Sequence, residues 1–234
     1  MPKPTFINLQ KDKKTKFLAV ALDEFALNDY DHASITRIVK VLNIAKGSVY
    51  QYFENKKDLY LYLLDQATRK RQEYVKPLLK APPQDFYDLI TQLFKKTIQF
   101  DIENPLYSRL LSNANNEKFS KDLGNAMLDM RKKSMDFMRG LLERELLMGG
   151  IRFDLNIDLA SYLLAQMNGN ILDFLVIQNK IDSTTLMSTR KMKNAISETD
   201  IQSTARQISD FLKIGIKTEP KKGKPVNKQQ TRLL

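Results

Sequence analysis

The stretch Ile35-Thr36-Arg37-Ile38-Val39-Lys40-Val41-Leu42-Asn43-Ile44-Ala45-Lys46-Gly47-Ser48-Val49-Tyr50-Gln51-Tyr52-Phe53-Glu54-Asn55-Lys56-Lys57-Asp58-Leu59 decides the fold of this chain. Ser34 precedes it as a good helix N-cap, and Ile35, Ile38, Val39 and Leu42 then fall on one side of a short helix. Asn43 tolerates the left-handed backbone that a tight turn requires, so the helix stops there. A second short helix is predicted over Ala45 to Phe53. Glu54-Asn55 forms a turn, and Lys56 opens a helix that runs to about Lys80 before the Pro82-Pro83 pair. Two short helices joined by a tight turn make a helix-turn-helix, whose second helix enters the major groove of DNA.

Upstream, Lys11 to Asn28 reads as a helix with Phe17, Leu18, Ala21, Leu22 and Phe25 on one stripe. Downstream, apolar residues recur three and four apart as far as residue 216. Predicted helices cover Gln84 to Glu103, Leu106 to Asn113, Lys118 to Met148, Ile157 to Asn179 and Asp200 to Ile216. Residues Ser183 to Ser197 are poorly patterned. The fold class is therefore all-α, with an N-terminal three-helix helix-turn-helix domain and a larger C-terminal helical domain. The expected divisions are 1–56 for an arm and the helix-turn-helix, 57–80 for a connecting helix, 81–216 for the second domain and 217–234 for a basic disordered tail.

Charge points the same way. Residues 1–80 carry 15 basic against 9 acidic side chains, residues 81–211 carry 16 against 17, and residues 212–234 carry 7 against 1. A basic segment binds polyanions by releasing their counterions, which makes the N-terminal part the candidate nucleic-acid face. Absence of cysteine excludes thiol catalysis and Cys-ligated zinc, and a single histidine, His32, argues against a His-based metal site and a Ser-His-Asp triad. Neither a nucleotide-binding glycine loop nor a nucleophile-base pair is visible, so neither an enzyme nor a cofactor is expected. No apolar run approaches bilayer length, and the expected location is cytoplasmic.

Lys46-Gly47-Ser48-Val49-Tyr50-Gln51-Tyr52-Phe53 followed by Asn55-Lys56-Lys57-Asp58-Leu59, with Phe25-Ala26 and Ser34-Ile35 before them, resembles the signature of the tetracycline-repressor (TetR) family over residues 11–65. Val39 and Asn43 depart from it, standing where the family usually has Ala and Gly. The resemblance implies a transcription repressor that grips a double-stranded operator and is released by a small, largely apolar effector enclosed in the second domain. A partner-controlled or architectural DNA binder of the same fold is the alternative.

Physical chemistry assigns roles within that frame. Ser34 and Arg37 at a helix start, Ser48, and Lys56 and Lys57 as mobile cations suit phosphates. Lys46 suits guanine acceptors and Gln51 adenine, while Gly47 lets the backbone come close. Tyr50 and Tyr52 either donate hydroxyls to phosphate, as the resemblance implies, or serve as packing with a solvated hydroxyl. Tyr107, Arg109, Met127, Gln166, Asn170 and Asp173, set among apolar positions of the second domain, are candidate effector contacts. The helix from Ile157 is apolar over more of its surface than one core needs. Together with Asp200 to Ile216 it is the expected four-helix interface of a homodimer.

Overall fold

A computed structural model describes residues 1–80, 85–117, 120–186 and 188–217. The Pro82-Pro83 stop, the Lys118 helix start and most of the basic tail lie outside the described residues. The protein is all-α, and no strand occurs among the described residues. The elements are α1 (Pro4–Ile7), α2 (Lys11–Leu27), α3 (Ile35–Leu42), α4 (Lys46–Tyr52), α5 (Lys56–Lys80) and α6 (Phe86–Glu103). They continue as α7 (Pro105–Asn116), α8 (Gly124–Leu147), α9 (Ile157–Gln178), α10 (Ser183–Leu186), α11 (Thr189–Ala195) and α12 (Glu198–Ile216).

Local chemistry sets most of these boundaries. Ser34 caps α3 by accepting from the Arg37 N–H, and Asn43 ends it with φ 53° and ψ 47°. Asp85 caps α6 and Asn156 caps α9. Ser197 and Asp200 exchange side-chain and backbone bonds in a capping box at the start of α12. After α8 the chain turns on Gly149 at φ 75°, a backbone region that a Cβ disfavours. Three features depart from the sequence reading. Helix α8 begins at Gly124 rather than near Lys118, because the Ser120 to Leu123 segment forms a turn first. Residues 183–197 contain two short helices where little pattern is visible. One of them is held by fully buried Met192. The third, α1, is unanticipated.

Two hydrophobic cores result. The first joins Phe6, Phe17, Phe25, Ile38, Val49, Phe53, Leu59 and Leu63 to Leu110, Ala114, Leu123 and Met127. The second gathers α6, α9 and α12 around Ile90, Phe94, Ile98, Leu164, Leu175, Ala205 and Leu212. The cores do not divide at residue 81, since α7 and the start of α8 pack on the N-terminal helices. Asn113 reinforces that packing by donating to the carbonyls of Phe25 and Ala26 at 3.3 and 3.2 Å, at the end of α2. Buried Glu117 accepts from the Tyr30 N–H at 2.8 Å.

Candidate nucleic-acid interface

Helix α4 is seven residues long and buries only Val49. Everything else on it faces outward or rests on aromatic neighbours. Lys46, Gly47, Tyr50 and Gln51 are exposed, and Ser48 is half-buried. A Cβ built on Gly47 meets nothing within 4 Å. Intrachain packing therefore does not demand glycine here, although glycine costs a helix about 1 kcal/mol relative to alanine.

The two tyrosines separate. Tyr50 is 42% exposed. Tyr52 is half-buried, with its ring edge-on to Phe17 at 5.5 Å and tilted on Phe6 at 5.7 Å. For Tyr52 the packing role is the one this geometry provides.

Two of the expected phosphate ligands are engaged inside the chain. Arg37 does not stand free: its Nε donates to Glu24 Oε1 and Oε2 at 2.9 and 3.1 Å, and its Nη2 donates to Glu24 Oε1 at 2.6 Å. The same Nη2 reaches the His32 carbonyl. Glu24 also accepts from the Ser34 N–H at 2.8 Å, so one carboxylate ties α2 to the start of α3. Lys56 is likewise not a mobile cation. Its Nζ donates to the carbonyls of Tyr30, Asp31 and Ala33 at 2.7, 3.3 and 3.2 Å and lies 4.4 Å from the Tyr30 ring centre. The ammonium thereby closes the loop that leads into α3. Lys57, next to it, has no ion-pair partner among the described residues. In the same loop, the backbone N–H and the ring of His32 hold the Asp29 carboxyl below the ordinary carboxylate range.

Replacing Lys56 by Met keeps the stem and removes all three bonds. The expected result is a loss of about 1.5–3 kcal/mol of stability, the usual size for hydrogen bonds to a charged group. Chemical denaturation checks this, and a midpoint equal to that of the wild type would show that the loop holds without the ammonium.

The expected effector residues stand in different surroundings. Met127 is buried in the first core, and the Tyr107 ring packs on that core with the Lys70 ammonium 4.9 Å above it. Arg109 and Asp173 are exposed and face each other electrostatically across α7 and α9. Burial pushes the Asp173 carboxyl up, and Arg109 partly offsets it. Half-buried Gln166 gives its carbonyl to Asn170 Nδ2 at 2.9 Å, and Asn115 Nδ2 bridges to Asn170 Oδ1 at 3.4 Å. Asn170 also lines an apolar groove of about 390 Å³ with Met167, Ile171, Phe174, Ile208 and Phe211, between α9 and α12.

Among the described residues no group of three or more His, Cys, Asp and Glu side chains could hold a metal ion. No helix is long and apolar enough to cross a membrane, again among the described residues. The sequence reading missed α1, whose signals were Pro4 at a first helical turn and an isolated Phe6.

Comparison with known proteins places this geometry. Residues 17–63 match the family model described as bacterial regulatory proteins, tetR family. A crystal structure of a TetR family transcriptional regulator from Chloroflexus aurantiacus J-10-FL is 29% identical, with a TM-score of 0.77 over 94% of this chain and 100% of that one. The regulator FadR from Bacillus subtilis, solved in complex with stearoyl-CoA, is 14% identical with a TM-score of 0.61, over 85% of this chain and 96% of that one. At that identity the likeness concerns the fold. In sequence, the fatty acid metabolism regulator protein of Bacillus subtilis (strain 168) is 23% identical over 139 residues, 56% of this chain and 65% of the relative. The chain thus aligns with just under two thirds of that relative's length. Residues 17–63 thus carry the helix-turn-helix signature of the tetR-family regulators, and the helical body behind them has the build of a solved TetR family transcriptional regulator.

Proposed function

We propose that the protein is a homodimeric repressor that reads a palindromic operator through α4 and leaves it when a small molecule with a long apolar part binds the second domain. The observation that carries the DNA-reading half is the exposed face of α4, where Lys46, Gly47 and Gln51 stand open to solvent among the described residues. Lys46 and Gln51 have the donors for guanine and adenine edges. Ser34, Ser48, Tyr50 and Lys57 flank that face as phosphate ligands.

Gly47→Ala separates reading from folding. The variant is expected to be more stable by about 0.5–1 kcal/mol, because alanine is the better helix former. It is also expected to bind duplexes selected on the wild type more weakly, because the methyl group holds the backbone away. Gln51→Ala is expected to cost about 1–3 kcal/mol on the selected duplex alone. Melting curves and fluorescence anisotropy measure the two effects. A Gly47→Ala variant that is stabilised and binds unchanged would remove α4 as the reading helix.

The effector half rests on kinship with regulators of fatty acid metabolism, one of them solved with stearoyl-CoA. An acyl thioester is accordingly the first ligand class to test. A ligand that binds only the folded state raises the melting temperature, and the rise grows with the logarithm of ligand concentration above its dissociation constant. Stearoyl-CoA, free stearate and CoA, compared in a thermal-shift series, distinguish recognition of the chain from recognition of the head group.

A further inference from the structure

We infer that the N-terminal arm is part of the DNA-reading device: Lys3 and Phe6 are positioning residues that set the recognition helix α4 from its C-terminal end. This rests on α4 being the reading helix. The inference begins with how little α4 has of its own. A seven-residue helix is far below the length that persists in water without tertiary support. Ala45, at its N-cap, makes no side-chain capping bond, and only Val49 is buried.

The last four carbonyls of any helix lack partners within it. In α4 these belong to Val49, Tyr50, Gln51 and Tyr52. The Phe53 N–H donates to the first at 2.8 Å. Lys3 supplies two of the others: its ammonium donates to the Tyr50 carbonyl at 2.8 Å, and its backbone N–H donates to the Tyr52 carbonyl at 2.8 Å. A cation at this end also complements the helix dipole. One residue, more than forty positions away in sequence, therefore acts as the C-terminal cap of the reading helix.

Phe6 fixes where that cap sits. Its side chain is fully buried. The ring lies 4.8 Å from Phe53 and 5.7 Å from both Tyr52 and Phe17, centre to centre, with Tyr62 of α5 at 5.8 Å. The aromatic cluster thus grips the exit of α4 between α1, α2 and α5. A base reader tolerates little displacement, since a bidentate contact is lost when its backbone shifts by a fraction of its length. Lys3 touches the helix through the Tyr50 and Tyr52 carbonyls at its C-terminal end and Phe6 through the Tyr52 ring, so their effect reaches DNA through α4.

The test uses the full chain, duplexes selected from a random library on the wild type, and mixed-sequence duplex of equal length, over a series of salt concentrations. Lys3→Gln is expected to weaken binding to the selected duplex about tenfold, the size of one charge-assisted hydrogen bond. Binding to mixed-sequence duplex and the slope of affinity against salt are expected to stay as in the wild type, and Lys3→Arg to recover most of the loss. Phe6→Leu, which preserves burial, is expected to act in the same direction. Equal loss on both duplexes with a shallower salt slope would make Lys3 a phosphate ligand and overturn the inference. Unchanged binding on both would overturn it too. If the wild type selected no sequence, the reading of α4 as sequence-specific would fail by itself. Hydrogen exchange of the free protein then decides the arm separately, with faster exchange over residues 46–53 in Lys3→Gln expected and unaltered exchange refuting it.

Discussion

Phe211→Asp is expected to sediment as a folded monomer at micromolar concentration and to lose tight binding to a two-half-site duplex. Helix α9 is apolar on two faces. One face, with Leu164, Ile171 and Leu175, is buried in the second core. The other carries Leu159, Leu163, Phe174 and Ile177, exposed by 55, 50, 48 and 76%, and α12 adds Phe211 and Ile214 at 69 and 89%. Spacings of four, eleven and three along α9 and of three along α12 place these side chains on helical stripes, and the groove between α9 and α12 takes in Phe174 and Phe211. An exposed apolar stripe of this extent marks an interaction surface. A second copy is the occupant we propose, because a two-fold pair of reading helices engages two half-sites at once. A carboxylate in the centre of such an interface costs on the order of 3 kcal/mol, roughly a hundredfold in the dissociation constant. Sedimentation with circular dichroism checks both parts, and an intact dimer would move the interface elsewhere. Leu175, which is also apolar but lies on α9, does not serve this purpose. It is wholly buried within its own subunit, and Asp there would disrupt the fold.

Arg71→Met is expected to lose about 3–5 kcal/mol of stability at pH 8, the usual cost of stranding one member of a buried pair. It is expected to lose less at pH 5. Asp101 in α6 is almost completely buried, and the Arg71 guanidinium of α5 lies 3.5 Å from it while donating to the Asn168 carbonyl of α9 at 3.1 Å. Desolvation pushes the Asp101 carboxyl up, Arg71 and a hydrogen bond from Ser108 pull it down, and Asp173 adds a smaller push. The net result is a raised value, so the folded protein holds this proton more tightly than the unfolded chain. Stability from this group therefore falls as pH rises from the ordinary carboxylate value through the folded one. Without Arg71 the opposing pull is gone and the folded value rises further, which widens the window and deepens the loss at high pH. Urea denaturation across that range measures it. A loss independent of pH would mean that Asp101 stays ionised without its partner.

The elements that were legible in the sequence are those whose causes are local. The Ser34 cap, the left-handed Asn43 and the apolar positions Ile35, Ile38 and Val39 give α3 to the residue. What stayed hidden depends on partners distant in the chain. Four residues around Phe6 make a helix only because Phe17, Phe53 and Tyr62 surround that ring. Lys56 and Arg37 look like free cations in a basic segment until the fold brings the carbonyls of residues 30–33 and the Glu24 carboxylate to them. A sequence pattern records that a side chain is charged, and it does not record whether the charge is already used. The surroundings of the candidate effector residues stayed hidden for a related reason. Polar residues on apolar helices mark seams between helices, here Asn115 with Asn170, as readily as they mark a ligand.

Because Leu110, Ala114, Leu123 and Met127 complete the interior of the N-terminal helices, the reading head is not a detachable module. A fragment ending after α5 would present to water the apolar surface that α7 and α8 now cover, and grafting the head onto another body would leave the same wound. Exchange of specificities among proteins built this way has to proceed by substitution on the outer face of α4, since recombination at the apparent domain boundary cuts through a shared interior.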